Sequence, residues 1–315
     1  MAQWKTRGHL VTEQNNANSQ NLDQLSALEL VDLFNREDVQ TLLAIARARE
    51  SLAQAIDLVS MALGQGGRLF YVGAGTSGRL GVLDATECPP TFCTPADLVQ
   101  GIIAGGAAAL VRSSEDLEDR AEDGQRAIAH HQITALDVVV GITAGGTTPF
   151  VHGALMAAQQ RGAKTVFMAC VPTEQVDVQT DIDIRLIVGP EILAGSTRLK
   201  SGTVTKMALN ILSTGVMVKL GKVYGNRMVD VAVTNTKLRD RALRILTDLT
   251  PMDRSAADGL LERSGKSVKL SLVTYWTGLE GETAEDLLKQ HHGNLREAIM
   301  AHQSNSAADG EQAHS

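Results

Sequence analysis

The pattern of apolar and polar positions divides this chain into helical ends and an alternating middle. Residues up to about Asn21 are polar and without periodicity, which predicts an amino-terminal arm. Apolar residues then recur at helical spacing from Leu22 to Leu63 and predict two or three helices. Next, short apolar runs alternate with helical stretches, as in a parallel sheet with crossover helices. The predicted strands are Leu69–Val72, Val99–Ile103, Asp137–Ile142, Thr165–Ala169 and Ile182–Val188.

The carboxyl-terminal third reads as helical. An apolar helix is predicted from about Ser201 to Leu220, and a small three-helix unit from about Asp240 to Met300. The polar, low-complexity stretch from His302 to Ser315 predicts a disordered tail. We therefore expect an arm with helices at 1–54, a doubly wound α/β domain at 55–239, a small helical domain at 240–301 and a tail at 302–315.

Composition and charge narrow the class of protein. The net charge of -7 argues against a nucleic-acid surface, which needs a basic field. The chain has no apolar run of membrane-spanning length and no secretory signal, so we expect a cytoplasmic protein that does not bind membranes. Cys88, Cys93 and Cys170 lack the CxxC spacing of zinc or redox sites, and we expect reduced thiols and no metal.

A glycine-rich turn follows the first predicted strand. Gly73–Gly78 matches the dinucleotide fingerprint GxGxxG, but the next strand candidate ends in glycines and not in the acidic residue that holds a ribose. No GK[ST] closes the turn, which excludes a Walker loop. Hydroxyls and amides at a helix amino terminus suit a phosphate monoester, although a glycine turn can also serve without any ligand. The candidate ligands are Gly75, Thr76, Ser77, Gly78 and Arg79.

A second turn, Ala144–Pro149, follows the third predicted strand in the same format. Pro149 occupies a position where a first helical turn tolerates proline. Two such turns at neighbouring strand ends would build one pocket at the carboxyl edge of the sheet. Thr147 and Thr148 are its candidate binding residues.

Two acidic positions are candidates for proton transfer. Glu87 precedes Pro89 and Pro90, which we expect to end the helix and to hold the carboxylate at the rim of the first turn. Glu118 lies in an acidic segment that also fits a solvated helix face. Two carboxylates facing one sugar could divide acid and base duties if their environments separate their pKa values.

Three segments of this chain resemble the N-acetylmuramic acid 6-phosphate etherases: GAGTSGRLGVLDATECPPTF, GSTRLKSGTVTKMALNILSTGVMVKLGKVYGNRMVDV and TNTKL. The resemblance extends over almost the whole chain. It implies a sugar isomerase (SIS) domain that binds phosphosugars, a small helical domain resembling ubiquitin-associated folds, a homodimer, and no metal or cofactor. The implied activity is that of a carbon–oxygen lyase, which cleaves the lactyl ether to N-acetylglucosamine 6-phosphate and D-lactate in peptidoglycan recycling.

The resemblance also implies residue roles. Glu87 corresponds to the proton donor and Glu118 to the second acid/base group, with Glu115 as its rival because the acidic segment fixes no register. Thr76, Ser77 and Arg79 would line the phosphate pocket. The turn GSTRLK would add hydroxyls and positive charge through Ser196, Thr197, Arg198 and Lys200. Helix capping is the alternative for its serine and threonine, and surface exposure for its two cations.

The second turn departs from the family. It usually reads ASGRTP, whereas this chain has AGGTTP, so a serine hydroxyl and a guanidinium are missing. Thr147 offers one donor and no charge in place of the arginine, and we expect weaker binding if that arginine holds an anion. Two alternatives therefore stay open: a phosphosugar sensor without catalysis, resembling the longer, two-SIS glucokinase regulatory proteins, and an SIS sugar-phosphate isomerase.

Overall fold

A computed structural model describes residues 7–112, 115–231 and 233–312. Its contacts divide the chain into two compact units. The first comprises the chain up to Thr86 together with Ala96–Thr214, and the second comprises Glu87–Pro95 together with Gly215–Ser315. The predicted boundary at 239 and 240 thus differs from the division in the structure, where the residues after 214 already belong to the second unit.

A five-stranded parallel sheet forms the centre of the first unit. Its strands run in the order β2-β1-β3-β4-β5. They are β1 (Leu69–Gly73), β2 (Val99–Ile103), β3 (Val138–Thr143), β4 (Lys164–Ala169) and β5 (Ile182–Arg185). All five strands predicted from the sequence are confirmed, with β5 shorter than expected. The strand order reverses between β1 and β3, and open α/β sheets bind ligands at the carboxyl ends of strands at such a switch point.

The amino-terminal arm packs against its own unit. Leu10 and Thr12 are fully buried in it. Two helices follow, α1 (Ala27–Arg47) and α2 (Arg49–Gly64), within the region where two or three helices are predicted. A capping box of Ser26 and Glu29 starts α1, in which each residue satisfies a free amide of the first turn.

Three helices connect the strands: α3 (Gly75–Phe92), α4 (Ala121–His130) and α5 (Pro149–Gln160). The last two approach each other at backbone distance. A Cβ on Gly124 would lie 2.0 Å from the Phe150 carbonyl oxygen, and one on Gly153 would lie 2.1 Å from that of Ala121. Glycine is therefore required at both crossings, and this tight pair covers one face of the sheet, over Phe70, Val139 and Phe167 among others.

Helix α3 corrects one prediction. Pro89 and Pro90 do not end it, because the helix continues to Phe92. The fixed φ of proline is compatible with a helix, and the backbone continues through both residues although each lacks an amide donor: the Cys93 amide donates to the Pro89 carbonyl at 2.9 Å. The chain turns at Cys93, whose φ of 52° is in the left-handed region.

Helix α6 (Lys200–Lys219) matches the apolar helix predicted at Ser201–Leu220. The chain after it belongs to the second unit because of its packing. Val229 and Val231 lie in the core of that unit. The buried Lys269 amino group also donates to the Asp230 carboxylate (2.7 Å) and to the Gly221 carbonyl (3.0 Å).

The second unit contains more helices and strands than the predicted three-helix unit. Its described part contains a short antiparallel pair, β6 (Val223–Tyr224) and β7 (Arg227–Met228), and five helices. Gly278 caps α9 with a φ of 73°, a break that the sequence reading missed. The last helix extends to Gln312, where a disordered tail was expected from His302, and 313–315 lie outside the described residues. The helices are α7 (Thr236–Leu249), α8 (Arg254–Arg263), α9 (Val268–Thr277), α10 (Gly281–Gln290) and α11 (Leu295–Gln312).

Within the described ranges, none of the helices is long and apolar enough to cross a membrane. The same part of the chain holds no group of three or more His, Cys, Asp and Glu side chains placed to bind a metal ion.

Candidate functional site

The first glycine turn is shaped by backbone contacts. A Cβ on Gly73 would lie 2.7 Å from the Gly78 nitrogen, and one on Gly78 would lie 2.6 Å from the side chain of Ile103. Gly75 has a φ of 52°, in the region that favours glycine. The three glycines let α3 begin immediately after β1. Free amides of its first turn, and the positive end of its dipole, are thus available to an anion at the carboxyl edge of the sheet.

The second turn lies at the end of the neighbouring strand, β3. The Thr143 and Thr148 hydroxyls are hydrogen bonded to each other at 2.8 Å. Burial lowers the pKa of His152, so its ring is neutral near pH 7 and Nε2 donates to the Gly146 carbonyl at 2.7 Å. These bonds fix the turn from within, and Thr147 is buried in it.

A cleft of about 380 Å³ lies between the two turns, as predicted from their positions. All its lining residues belong to the first unit. They are Arg7, Leu10 and Glu13 of the arm; Ala74, Gly75, Thr76, Ser77 and Arg79; Glu118; Thr143, Ala144, Gly145, Thr147 and Thr148; and Gly195, Thr197, Ser201, Gly202 and Thr205. Backbone amides, hydroxyls and a few charges therefore surround a space of the size of a small polar ligand.

Among the described side chains of the acidic segment, Glu118 is the carboxylate that lines this cleft. Its carbonyl oxygen accepts the amide of Phe150 at 3.0 Å, which ties the segment to the first turn of α5. Glu115 lies in a short 3-10 helix before it, Glu115–Leu117. Glu118 is partly buried among the residues that line the cleft, and its role as the second acid/base group stays a prediction.

Arg79 is partly held by the protein. Its Nε donates to the Leu110 carbonyl at 3.3 Å and a terminal nitrogen donates to the Arg112 carbonyl at 3.4 Å. These long bonds orient the guanidinium without using all five of its donors. Arg79 can therefore add charge-assisted hydrogen bonds to an anion held by the first turn.

Lys200 has a different place from the one predicted. Its side chain is 1% exposed and its amino group donates to the Glu37 carboxylate of α1 at 2.6 Å. That carboxylate also accepts from Asn16 and Asn18 of the arm, at 2.6 and 2.7 Å. Because a buried cation must be paired, Lys200 is committed to this network and is not available to a phosphate.

Burial alone would raise the pKa of Glu37, but the hydrogen bonds from Lys200, Asn18 and Asn16 outweigh it and hold that pKa below its ordinary value. The carboxylate is thus ionised at neutral pH, and the network holds together the arm, α1 and the start of α6.

The turn before α6 places fewer residues in the cleft than predicted. Thr197 lines the cleft, whereas Ser196 is not among the lining residues and Arg198 is exposed. Neither hydroxyl caps the helix, which begins at Lys200. The cap is Glu191, whose carboxylate accepts the amides of Lys200 and Ser201, both at 2.9 Å. No local motif announces this cap in the sequence.

Glu87 belongs to the second unit and is exposed near the end of α3. Gly78 lies beneath the first turn, packed on Gly73, and does not line the cleft. Sequence reasoning missed the arm as part of the site: Arg7 and Glu13 bring a cation and a carboxylate to the cleft. In the sequence, these two residues appear as isolated charges in a polar stretch, which does not indicate a site.

Comparison with known proteins identifies the family. The N-acetylmuramic acid 6-phosphate etherase of Rippkaea orientalis is 72% identical over 97% of this chain and 100% of its own length. That of Crocosphaera subtropica is 74% identical over 94% of this chain and 97% of its own. The chain belongs to the N-acetylmuramic acid 6-phosphate etherase family. The resemblance drawn from its motifs is confirmed.

Other comparisons concern the fold. The family model of the glucokinase regulatory protein N-terminal SIS domain matches residues 51–159, which include the first glycine turn and Glu118. Among solved structures, a phosphoheptose isomerase from Francisella tularensis has a TM-score of 0.42 and 16% identity, covering 60% of this chain and 100% of its own. One from Neisseria gonorrhoeae has a TM-score of 0.45 and 16% identity, covering 62% and 98%.

The family places the motifs in context without assigning their roles. The first glycine turn and the ECPP sequence of Glu87 are among the motifs that resemble the etherases, and both remain candidates for function. The AGGTTP turn leaves Arg7 and Arg79 as the arginines among the described residues that line the cleft.

Proposed function

We propose that this chain cleaves the D-lactyl ether of N-acetylmuramic acid 6-phosphate, releasing N-acetylglucosamine 6-phosphate and D-lactate, and so acts in peptidoglycan recycling. The similarity to relatives of that name, 72% identity over 97% of the chain, carries the proposal. Its support in the molecule is a polar cleft that combines an anion-binding turn with a partly buried glutamate.

The first turn is the proposed phosphate site. A phosphate monoester brings three acceptor oxygens and nearly two negative charges, which match the free amides of α3, the Thr76 and Ser77 hydroxyls, and Arg79. In this proposal Gly75 gives the phosphate access to the backbone, Gly78 lets α3 pack closely on β1, and Thr147, Thr148 and Thr197 supply hydroxyls to the sugar. The phosphate then anchors the substrate while the chemistry occurs at C2 and C3.

Glu118 is the proposed acid/base group for the elimination. In the open-chain sugar the C1 aldehyde acidifies the C2 proton. A carboxylate removes that proton, the C2–C3 double bond forms, and the C3–O bond breaks as the lactate oxygen takes up a proton. Water then adds to C3 and a proton returns to C2, so that one water is consumed overall. Positioned proton transfer of this kind typically contributes about 10²- to 10⁴-fold to a rate.

Glu87 is the proposed proton donor to the departing lactate. Its position in the ECPP sequence, which resembles the family motif, supports this role, and the exposure of its side chain leaves it accessible to a ligand. We assign no cofactor to the reaction, because general acid and base groups suffice for its proton transfers.

We further infer a homodimer that works in the cytoplasm. The support for a dimer is an apolar stripe on the outside of α1, formed by Leu28, Val31, Val39 and Leu42, which are 71%, 56%, 49% and 62% exposed. A helix face of this kind, exposed to water, is typical of an interaction surface.

The test is release of D-lactate from N-acetylmuramic acid 6-phosphate by the purified protein and by Glu118→Gln, Glu115→Gln and Glu87→Gln. We expect release by the wild type, a loss of about 10²-fold or more in Glu118→Gln and Glu87→Gln, and near-normal release by the matched Glu115→Gln. All three variants should bind N-acetylglucosamine 6-phosphate as the wild type does. Normal turnover in Glu118→Gln would contradict its role.

A phosphosugar sensor is a second candidate, favoured by the match to the glucokinase regulatory protein SIS domain. A sensor would be stabilised against heat by phosphosugars that it leaves intact. Binding without lactate release by the wild type would therefore support this candidate against the etherase, and formation of a ketose without lactate would indicate an isomerase.

A further inference from the structure

The proposed substrate carries two anionic groups on different parts of the sugar. The phosphate is esterified at C6, and the carboxylate belongs to the lactyl group on the C3 oxygen. If the phosphate lies on the first turn, the carboxylate needs a second partner near the bond that breaks. The cleft offers a second arginine for this purpose, Arg7, which comes from the arm.

Arg7 lines the same cleft as the proposed catalytic glutamate and contacts the segment that carries it. Its guanidinium is 3.7 Å from the carboxylate of Asp119, the residue directly after Glu118. Arg79, in contrast, follows the first glycine turn and donates to carbonyls of the segment after β2. The two arginines are therefore held by different segments around the cleft.

The pairing of Arg7 leaves it able to bind a ligand. Its side chain is 45% exposed and that of Asp119 is 66% exposed, and an ion pair so exposed contributes little stability. A substrate carboxylate can exchange for Asp119 at small cost. Arginine suits the exchange because its planar fork can donate two parallel hydrogen bonds to one carboxylate.

The arm holds Arg7 in place rather than leaving it on a free terminus. The Arg7 carbonyl accepts the amide of the fully buried Leu10 at 2.9 Å. Next along the arm, the Val11 amide donates to the Gln175 side chain, and that side chain donates back to the His9 carbonyl, both at 3.0 Å. An anchored backbone reduces the entropy lost when the side chain binds.

We propose that Arg7 binds the lactyl carboxylate and so selects the etherase substrate over phosphosugars that lack this group. The assignment rests on the proposed function for the identity of the substrate. It makes the arm part of the active site and supplies, from another segment, a cation that the AGGTTP turn lacks.

The test compares two ligands that differ by the lactyl group. Binding of N-acetylmuramic acid 6-phosphate and of N-acetylglucosamine 6-phosphate is measured by calorimetry in the Glu118→Gln background, with and without Arg7→Gln. We expect Arg7→Gln to weaken the first ligand about tenfold and to change the second less than about twofold. Arg7→Lys should restore part of the difference, because it keeps the charge without the fork.

Arg126→Gln is the matched control, since Arg126 is 74% exposed on α4 and paired with Asp123. It should leave both affinities unchanged. Equal weakening of both ligands by Arg7→Gln would assign Arg7 to the phosphate or to the fold, and no weakening of either would exclude it from binding; each result overturns the proposal. Absence of lactate release by the otherwise unmodified chain would refute the etherase, while the ratio of the two affinities would still decide the role of Arg7.

Discussion

Lys200 shows how little a lysine's neighbours in sequence say about its role. In the sequence it follows a hydroxyl-rich turn, which suggests a phosphate ligand. In the structure its amino group is buried on Glu37, a residue of α1, while its backbone amide is capped by Glu191. The partner is 163 positions away, so neither spacing nor composition could reveal the pair.

Replacement of Lys200 by methionine should therefore affect stability. Removing one member of a buried ion pair leaves an uncompensated charge and costs about 3 to 5 kcal/mol. Chemical denaturation should show this loss in Lys200→Met, whereas the exposed Arg198→Met should stay within about 0.5 kcal/mol of the wild type. Unchanged stability combined with lost phosphosugar binding would restore Lys200 as a ligand.

The ion pair of Lys200 and Glu37 also makes the stability of the fold depend on pH. The lowered pKa of Glu37 means that its stabilising effect is complete above its ordinary value of 4.5 and is lost as the pH falls through the folded-state value. The stability gap between Lys200→Met and the wild type should consequently narrow in acid, where Glu37 takes up a proton. Denaturation curves at pH 7 and at about pH 3.5 would measure the change.

At the scale of elements, the sequence predicts those helices and strands that are set by a local, periodic pattern of apolar residues. The five strands and the apolar α6 follow from apolar runs and their breaks, and they are confirmed. Pro89 and Pro90 misled the prediction for α3, because proline signals a helix end although its φ fits a helix. The second unit was predicted with three helices and has five in its described part; one break that the prediction missed is at Gly278, a left-handed cap that reads as an ordinary glycine.

A substitution at Gly78 tests the first glycine turn, on which the proposed phosphate site depends. A Cβ at this position would lie 2.6 Å from Ile103 and 2.7 Å from the Gly73 carbonyl oxygen, so β1 and α3 would have to separate. Gly78→Ala should lower stability by about 1 to 3 kcal/mol and weaken binding of N-acetylglucosamine 6-phosphate, as seen by denaturation and calorimetry.

Gly259→Ala is the control variant for Gly78→Ala. This glycine lies inside α8, where a Cβ would meet only the end of the flexible Arg263 side chain, at 3.5 Å. Alanine there should be neutral or stabilising by up to about 1 kcal/mol. Normal sugar binding in a stable Gly78→Ala protein would contradict the proposed role of the turn.

At the scale of the whole molecule, the cleft combines segments that are far apart in sequence. The two glycine turns could be placed at one sheet edge beforehand, since parallel strands share their carboxyl ends. The position of the arm could not be predicted, because the arm is held by burial of Leu10 and by hydrogen bonds with the Gln175 side chain. Nor could the division into units, which follows packing of the chain after Thr214 on the carboxyl-terminal helices.

The homodimer remains a prediction, and α1 gives it a testable surface. Leu42 is 62% exposed within the apolar stripe, where a charge would be desolvated if a second copy covered it. Light scattering should give the wild type twice the mass of a single chain and Leu42→Glu the mass of one. Met300→Glu, at a residue 61% exposed on α11, should remain a dimer. A dimeric Leu42→Glu would exclude α1 as the contact, and a monomeric wild type would exclude the dimer itself.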